Sequence, residues 1–130
     1  MKTRSQFILV LVTMLVSCAL IAQSKLKLKS GKEVKVLKVG PVINTSGKRL
    51  GLMLQYETEL KLSDKTALHK EVDEIWEVFR SDVEKARDKA GIISATEKPT
   101  GYVIQHSNSY NFMFEKRTDG TWHRLEDKDK

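Results

Sequence analysis

The sequence contains a single cysteine, Cys18, among its 130 residues. One thiol cannot form an intramolecular disulfide, and it cannot supply the paired cysteines of a structural zinc site. The three histidines, His69, His106 and His123, are scattered without HxH or HxxxH spacing. The folded domain must therefore be stabilised by packing alone, and the sequence predicts neither a metal site nor a cofactor.

Motifs of nucleophilic catalysis and of nucleotide binding are also missing. There is no Gly-x-Ser-x-Gly elbow and no glycine-rich loop that would cradle a phosphate. The acidic pairs Asp73/Glu77 and Glu57/Glu59 fall on the polar side of a predicted helix and the wet face of a predicted strand, which are ordinary places for charge. These observations predict a protein that is not an enzyme.

The sequence has no hydrophobic run long enough to span a membrane. The apolar run from Phe7 to Ala22 has about 16 residues, fewer than the ~20 that a transmembrane helix needs. It follows a short basic segment with Lys2 and Arg4, and small residues end it, as in a secretory signal. We expect residues 1–24 to be a signal peptide and residues 25–130 to form one α+β domain in a bacterial periplasm or at the cell surface.

Two cleavage chemistries are compatible with this signal. Ala22 and Ser24 are small enough for ordinary signal peptidase to cut before Lys25, and Ala22 alone would allow a cut before Gln23. Residues 15–18, Leu-Val-Ser-Cys, resemble a bacterial lipobox, which implies acylation of Cys18 and anchoring in the outer membrane. The apolar residues that follow Cys18 differ from the polar tether of a lipoprotein, so ordinary cleavage is favoured.

The predicted mature chain is basic at its start. It carries 21 basic and 17 acidic residues, a net charge of +4. Six lysines crowd the first fourteen residues of this chain with only Glu33 to oppose them: Lys25, Lys27, Lys29, Lys32, Lys35 and Lys38. The lysines of the KLKLK strand are predicted to share one face, so this basic hairpin could bind an anionic envelope polymer or lipid headgroups, with an affinity that falls as salt rises.

An alternative is that these lysines protect an exposed edge hairpin against aggregation. Nucleic acid is not expected as a partner, because the chain is predicted to be exported and no stacking residues lie among the lysines.

Alternating patterns predict the strands before the helix. Residues 25–29 and 33–39 should form a hairpin around Ser30-Gly31-Lys32, with Gly40-Pro41 ending its second strand. Apolar residues then occupy every second position over residues 50–62, which predicts a long strand with a bend at Gly51.

A long amphipathic helix should follow. Ser63-Asp64 is a natural N-cap, and Gly91 is the expected stop after about seven turns. An apolar stripe recurs at spacings of three and four: Leu68, Val72, Ile75, Trp76, Phe79, Val83, Ala86 and Ala90. The opposite side, which includes Glu71, is predicted to be polar.

Four short strands are predicted after the helix. They cover residues 92–96, 102–105, 110–115 and 121–125, and Asp119-Gly120 should close the last hairpin. The predicted fold is α+β, with one long helix packed on a curved antiparallel sheet that has strands before the helix and a four-stranded meander after it.

Over residues 50–125 this order of elements is similar to the cystatin-like architecture, in which a curved sheet wraps a helix. Cystatins block cysteine proteases with a Gln-x-Val-x-Gly hairpin, and this sequence lacks that motif. The resemblance therefore implies a topology and not a function.

The favoured hypothesis is a non-enzymatic exported module that binds an envelope protein or an anionic envelope polymer through its sheet surface or its basic hairpin. One alternative is a small-molecule carrier or enzyme that uses a pocket between the helix and the sheet. Another is a structural lipoprotein anchored at Cys18, the one case in which membrane attachment is expected.

Mass spectrometry of the mature N-terminus tests the interpretation of the signal. We expect a chain that starts at Gln23 or Lys25, because ordinary cleavage removes Cys18. A chain that starts at Cys18 with the mass of attached acyl groups would contradict this and support the lipid anchor.

Overall fold

The computed structural model describes residues 24–99 and 107–125, which form one helix and one six-stranded mixed sheet. In chain order the elements are β1 (Ser24–Lys27), β2 (Glu33–Ile43), β3 (Arg49–Thr58), α1 (Lys65–Lys85), β4 (Ala90–Glu97), β5 (Ser109–Lys116) and β6 (Trp122–Arg124). The strands lie in the sheet in the same order, from β1 to β6. The predicted signal peptide, apart from Ser24, and the predicted strand at 102–105 lie outside the described residues.

The α+β class is confirmed, but the prediction of an antiparallel sheet is wrong at one pair of strands. β3 and β4 pair in parallel, from Leu52 opposite Gly91 to Thr58 opposite Glu97. The four other pairs are antiparallel. Since α1 carries the chain back along the sheet, β4 enters in the same direction as β3, as in a strand–helix–strand crossover.

The predicted N-terminal hairpin is confirmed, whereas the predicted stop at Gly40-Pro41 is wrong. β2 continues to Ile43, and Pro41 lies opposite Leu52 of β3. Among the described residues, β1 pairs with β2 only as far as Val36. Among these residues β2 has a neighbouring strand at Pro41 on the β3 side only, and a strand position without a partner needs no amide donor.

β3 ends four residues earlier than predicted, at Thr58 rather than Leu62. Leu60 and Leu62 nevertheless remain partly buried against the core. A register shift between β2 and β3 lies beside Gly51, where the bend was expected. Close packing also requires this glycine, because a Cβ atom at position 51 would lie 2.4 Å from the carbonyl oxygen of Ala90.

The start of α1 was predicted correctly and its end was not. Asp64 caps the helix, and its side chain accepts a hydrogen bond from the amide of Ala67 at 3.3 Å. The helix ends at Lys85, and Gly91 lies in β4. A Cβ atom at position 91 would come within 2.5 Å of the Trp76 ring, so it is the packing of Trp76, and not a helix end, that requires glycine here.

The apolar stripe of α1 forms the core against one face of the sheet. Its buried residues are Leu68, Val72, Ile75, Trp76, Phe79 and Val83. Trp76 is 6% exposed and stacks on Phe114 of β5, with 4.2 Å between the ring centres and 4° between the planes. The half-buried Trp122 of β6 contacts it edge-on at 5.1 Å. The predicted core positions of Trp76 and Phe79 are thus confirmed.

Side chains at both ends of the sheet contact the helix. Lys29, in the β1–β2 turn, contacts Glu77 of α1 at 3.5 Å. On the other side, Arg124 of β6 contacts Asp73 of α1 at 2.6 Å. Side chains from both ends of the sheet thus reach the same helix, and the predicted curvature of the sheet stays a prediction.

Substitution of Gly91 tests the close approach of α1 to β4. We expect Gly91→Ala to destabilise the fold by about 1–3 kcal/mol, because the added methyl group overlaps the Trp76 ring. The matched control is Gly40→Ala in β2, where an added Cβ atom meets nothing within 4 Å. Urea unfolding measures both changes, and equal stabilities would contradict the packing described.

Candidate functional site

The lysines of the predicted basic hairpin are largely paired with carboxylates. Lys25 lies 4.0 Å from Glu33, and Lys35 lies 3.9 Å from Glu57. The side chains of Lys25 and Lys35 are opposite each other in the register of β1 and β2, on the sheet face that α1 does not cover. Much of the positive charge that the sequence places there is therefore balanced by β2 and β3.

Two further lysines of the basic hairpin are directed towards α1. Lys29 contacts Glu77, and Lys32 forms an ion pair with Glu71. The prediction that Lys29 shares one face with the lysines of β1 is wrong, because the chain turns over α1 after Lys27. Ser30, in the same turn, donates a hydrogen bond to Glu74 at 2.6 Å.

Only Lys27 and Lys38 of the predicted set have no carboxylate within 4.0 Å among the residues that the structure describes. Both are exposed. Lys38 follows a register shift in β2 and lies opposite Gln55. Binding of an anionic partner by the six lysines stays a prediction, and of the six only these two lack a carboxylate partner among the described residues.

Glu71 is the least expected residue of the structure, because its side chain is buried although it was assigned to the polar side of the helix. It is 4% exposed. One carboxylate oxygen, Oε1, accepts hydrogen bonds from the hydroxyl of Tyr56 at 2.8 Å and from that of Thr58 at 2.7 Å. The other, Oε2, contacts the ammonium of Lys32. This group is termed the Glu71 cluster.

The spacing of the helix contained a signal for this burial. Position 71 lies three residues after Leu68 and four before Ile75, at the border of the apolar stripe. Glu71 was nevertheless expected on the polar side of the helix, because its side chain is charged. Its partners come from β3 and from the β1–β2 turn, so only the assembled fold shows that the charge is compensated.

The Glu71 cluster is arranged to hold elements together. Both carboxylate oxygens are engaged by donors, so the group links α1 to β3 and to the β1–β2 turn. Burial raises the pKa of Tyr56 well above its ordinary value, and the negative charge of Glu71 raises it further. The raised pKa keeps Tyr56 protonated, and donating to Glu71, to higher pH than an exposed tyrosine.

The described histidines do not converge. His69 packs edge-on against Phe112, with ring centres 5.3 Å apart. His123 accepts a hydrogen bond at Nδ1 from the Nε of Arg117 at 3.0 Å. His106 lies outside the described residues. Within residues 24–99 and 107–125, no group of three or more His, Cys, Asp or Glu side chains is placed to hold a metal ion.

The second half of β2 has no neighbouring strand on the β1 side among the described residues, and it carries exposed apolar side chains. We term residues 38–43 the β2 edge, because the described pairing with β1 ends at Val36. Val39 is 52% exposed and Ile43 is 57% exposed. Leu50, at the start of β3, is 48% exposed. Sequence reasoning missed this surface because it ended the strand at Gly40.

No helix in the described part of the chain has the length and apolar character needed to cross a membrane. Comparisons of the chain with protein-family models, with curated proteins and with solved structures found no match.

The pH dependence of stability tests the Glu71 cluster. We expect Tyr56→Phe to cost about 2 kcal/mol near neutral pH, because Glu71 loses a donor. The folded-state pKa of Tyr56 is raised, so the unfolded chain loses this proton first as the pH rises above about 10, and the wild type loses stability there. The stability difference between wild type and Tyr56→Phe should therefore shrink above that pH.

Thr58→Val is the matched control, because it removes the other hydroxyl donor of Glu71 without removing a titrating group. Urea unfolding at several pH values between about 8 and 11 measures all three proteins. A Tyr56→Phe difference that stays constant over this range, as that of Thr58→Val should, would contradict the raised pKa.

Proposed function

We propose that this chain is an exported, non-enzymatic binding or accessory module of the bacterial envelope, and that it binds an extended segment of a partner protein along the β2 edge. The proposal places the mature domain in the periplasm or at the cell surface. It also keeps the cystatin-like arrangement of the fold, which is supported by a sheet whose two ends both contact a single helix.

The observation that carries this proposal is the length of β2 beyond its described pairing with β1. That pairing ends at Val36, β2 continues to Ile43, and the proposal rests on the predicted removal of the residues that precede β1. An open strand edge presents amide and carbonyl groups with the spacing of a β-ladder, and an extended peptide can add to it as a further strand. The exposed Val39 and Ile43 would give such a peptide apolar surface to cover.

The side chains of the β2 edge indicate which peptide would fit. Val39 and Pro41 lie opposite Leu54 and Leu52 of β3, whose side chains pack on the core. Lys38 lies opposite Gln55 and next to Val39 along the strand, so its side chain belongs to the opposite face of the sheet. We therefore expect a partner segment with apolar residues at every second position and an acidic residue that can meet Lys38.

The same residues disfavour a second copy of this chain as the occupant. A lysine and a proline on an open edge are common means of preventing edge-to-edge association, because the lysine repels its own copy and the proline lacks a donor. Lys38 and Pro41 are both present on the β2 edge. Selective addition of a complementary segment is compatible with both residues.

Titration with synthetic peptides tests this function. The probe is an eight-residue peptide of alternating Val and Thr with one Asp, and a peptide with Lys in place of Asp is its control. We expect the acidic peptide to shift the amide NMR signals of residues 38–43 and to slow their hydrogen exchange, because the edge gains a strand. The lysine peptide should bind more weakly.

Two variants locate the binding surface. Val39→Asp should weaken the acidic peptide about tenfold, because it adds a like charge and removes apolar contact. Met113→Asp is the matched control, because Met113 is also an exposed apolar residue, at 40%, but lies on β5. Binding of the peptide that is unchanged in Val39→Asp, or shifts confined to other strands, would overturn the proposal.

A further inference from the structure

A cationic cleft lies at the end of the molecule where α1 stops. Two segments form it: the connection from α1 to β4, and the turn between β5 and β6. The cleft has a volume of about 590 Å³, and its cations are Arg87 and Lys89 from the first segment and Lys116 and Arg117 from the second. The amide of Lys116 donates to the carbonyl of Lys89 at 2.9 Å, which fixes the two segments side by side.

The two acidic residues of the cleft are already engaged by other groups. Glu84 accepts a hydrogen bond from the indole Nε1 of Trp122 at 2.9 Å. Asp88 accepts two hydrogen bonds from the guanidinium of Arg49, at 2.9 and 2.7 Å, and these raise the pKa of Arg49. Both carboxylates thus already have a donor next to the cleft.

The four cations of the cleft form no close ion pair of this kind, although Arg117 also interacts electrostatically with Asp119 in the same turn. None of them lies within 4.0 Å of a carboxylate among the residues that the structure describes. Arg117 uses its Nε on His123, which leaves its two terminal nitrogens as donors. The cleft therefore combines a positive potential with several donors, and its volume is in the range of small-ligand sites.

Arg87 provides a second, independent observation. The amide of Arg87 donates to the carbonyl of Glu84 and that of Asp88 to the carbonyl of Val83, so α1 ends in a Schellman motif. In this motif the residue at position 87 adopts a left-handed conformation, and its φ is 60°. Glycine is the usual residue there because it has no side chain to strain.

The end of the helix alone does not explain an arginine at this position. A cation near the C-terminus of a helix interacts favourably with the helix dipole, but Lys85 in the last turn already supplies one. The left-handed conformation is unfavourable for a long side chain, and such outliers concentrate at functional sites. The side chain of Arg87 is therefore best explained by what it does in the cleft.

We propose that this cleft is a binding site for a phosphate-bearing anion, either a soluble phosphomonoester or the phosphate of a lipid headgroup. Guanidinium groups bind phosphate through two parallel hydrogen bonds, and Arg87 and Arg117 approach from opposite segments. A tetrahedral phosphate has enough oxygens to contact both segments at once, whereas a carboxylate has two oxygens in one plane. This inference is independent of the proposal for the β2 edge.

NMR titrations of the mature domain with inorganic phosphate, methyl phosphate and acetate test the ligand class. We expect both phosphates to shift the amide signals of residues 87–89 and 116–120, with an affinity that falls as salt rises. Acetate should bind more weakly. Acetate binding as tight as phosphate binding would overturn the assignment to phosphate.

Arg87→Gly separates a binding role from a structural role. Glycine preserves the left-handed position, so this variant should unfold at the same or a higher temperature than the wild type. It should bind methyl phosphate about tenfold more weakly, because a charged donor is lost. Lys61→Gln is the matched control, since Lys61 is an exposed cation that lies outside both the cleft and the basic hairpin. Equal losses of affinity in the two variants would overturn the proposal.

Vesicles distinguish the two sources of phosphate. Phosphatidylcholine vesicles with and without phosphatidylglycerol are sedimented with wild type, Arg87→Gly and Lys61→Gln. Sedimentation that requires phosphatidylglycerol and falls in Arg87→Gly but not in Lys61→Gln identifies a lipid headgroup. Binding of methyl phosphate without sedimentation identifies a soluble ligand. Failure to bind methyl phosphate together with failure to sediment would overturn the site, and it would leave the β2-edge proposal untouched.

Discussion

The burial of one helix against a single sheet is the constraint on which the other features of this protein depend. The stripe of α1 has no other partner, and fully burying each of its large apolar side chains contributes about 1.5–3 kcal/mol. Trp76 sets the closest contact, since it stacks on Phe114 and leaves room only for glycine at position 91. Side chains from both outer ends of the sheet reach the same helix.

Polar contacts then fix the position of α1 along the sheet, which apolar burial alone leaves undetermined. Burial alone would allow the helix to slide along the sheet, whereas hydrogen bonds and ion pairs require particular partners. The Glu71 cluster ties α1 to β3 and to the β1–β2 turn, and the contact of Arg124 with Asp73 ties it to β6. The loss of one partner would leave a buried charge or hydroxyl unsatisfied, so these contacts position the helix more specifically than they stabilise it.

The two proposed binding surfaces lie where the chain adopts a local arrangement that is less stable than the alternatives. β2 extends past the described part of β1 and exposes Val39 and Ile43, although covered apolar side chains would be more favourable. Arg87 occupies a left-handed position at which glycine would be less strained. In a domain whose elements otherwise agree with their local sequence, such departures are expected at functional sites. They lie on different elements, so the domain could bind a peptide and an anion at the same time.

Local patterns by themselves determined the α+β class, the N-terminal hairpin, the Asp64 cap and the final hairpin, because turn residues and periodicity act over a few neighbours. Contacts between distant residues decided the rest. The helix ends at Lys85 and not near Gly91, since Gly91 is needed beneath Trp76 in β4. β3 and β4 pair in parallel because of the crossover of α1, and the charge of Glu71 is buried because Tyr56, Thr58 and Lys32 meet it. Those partners lie 13 to 39 residues away along the chain, a separation over which periodicity carries no information.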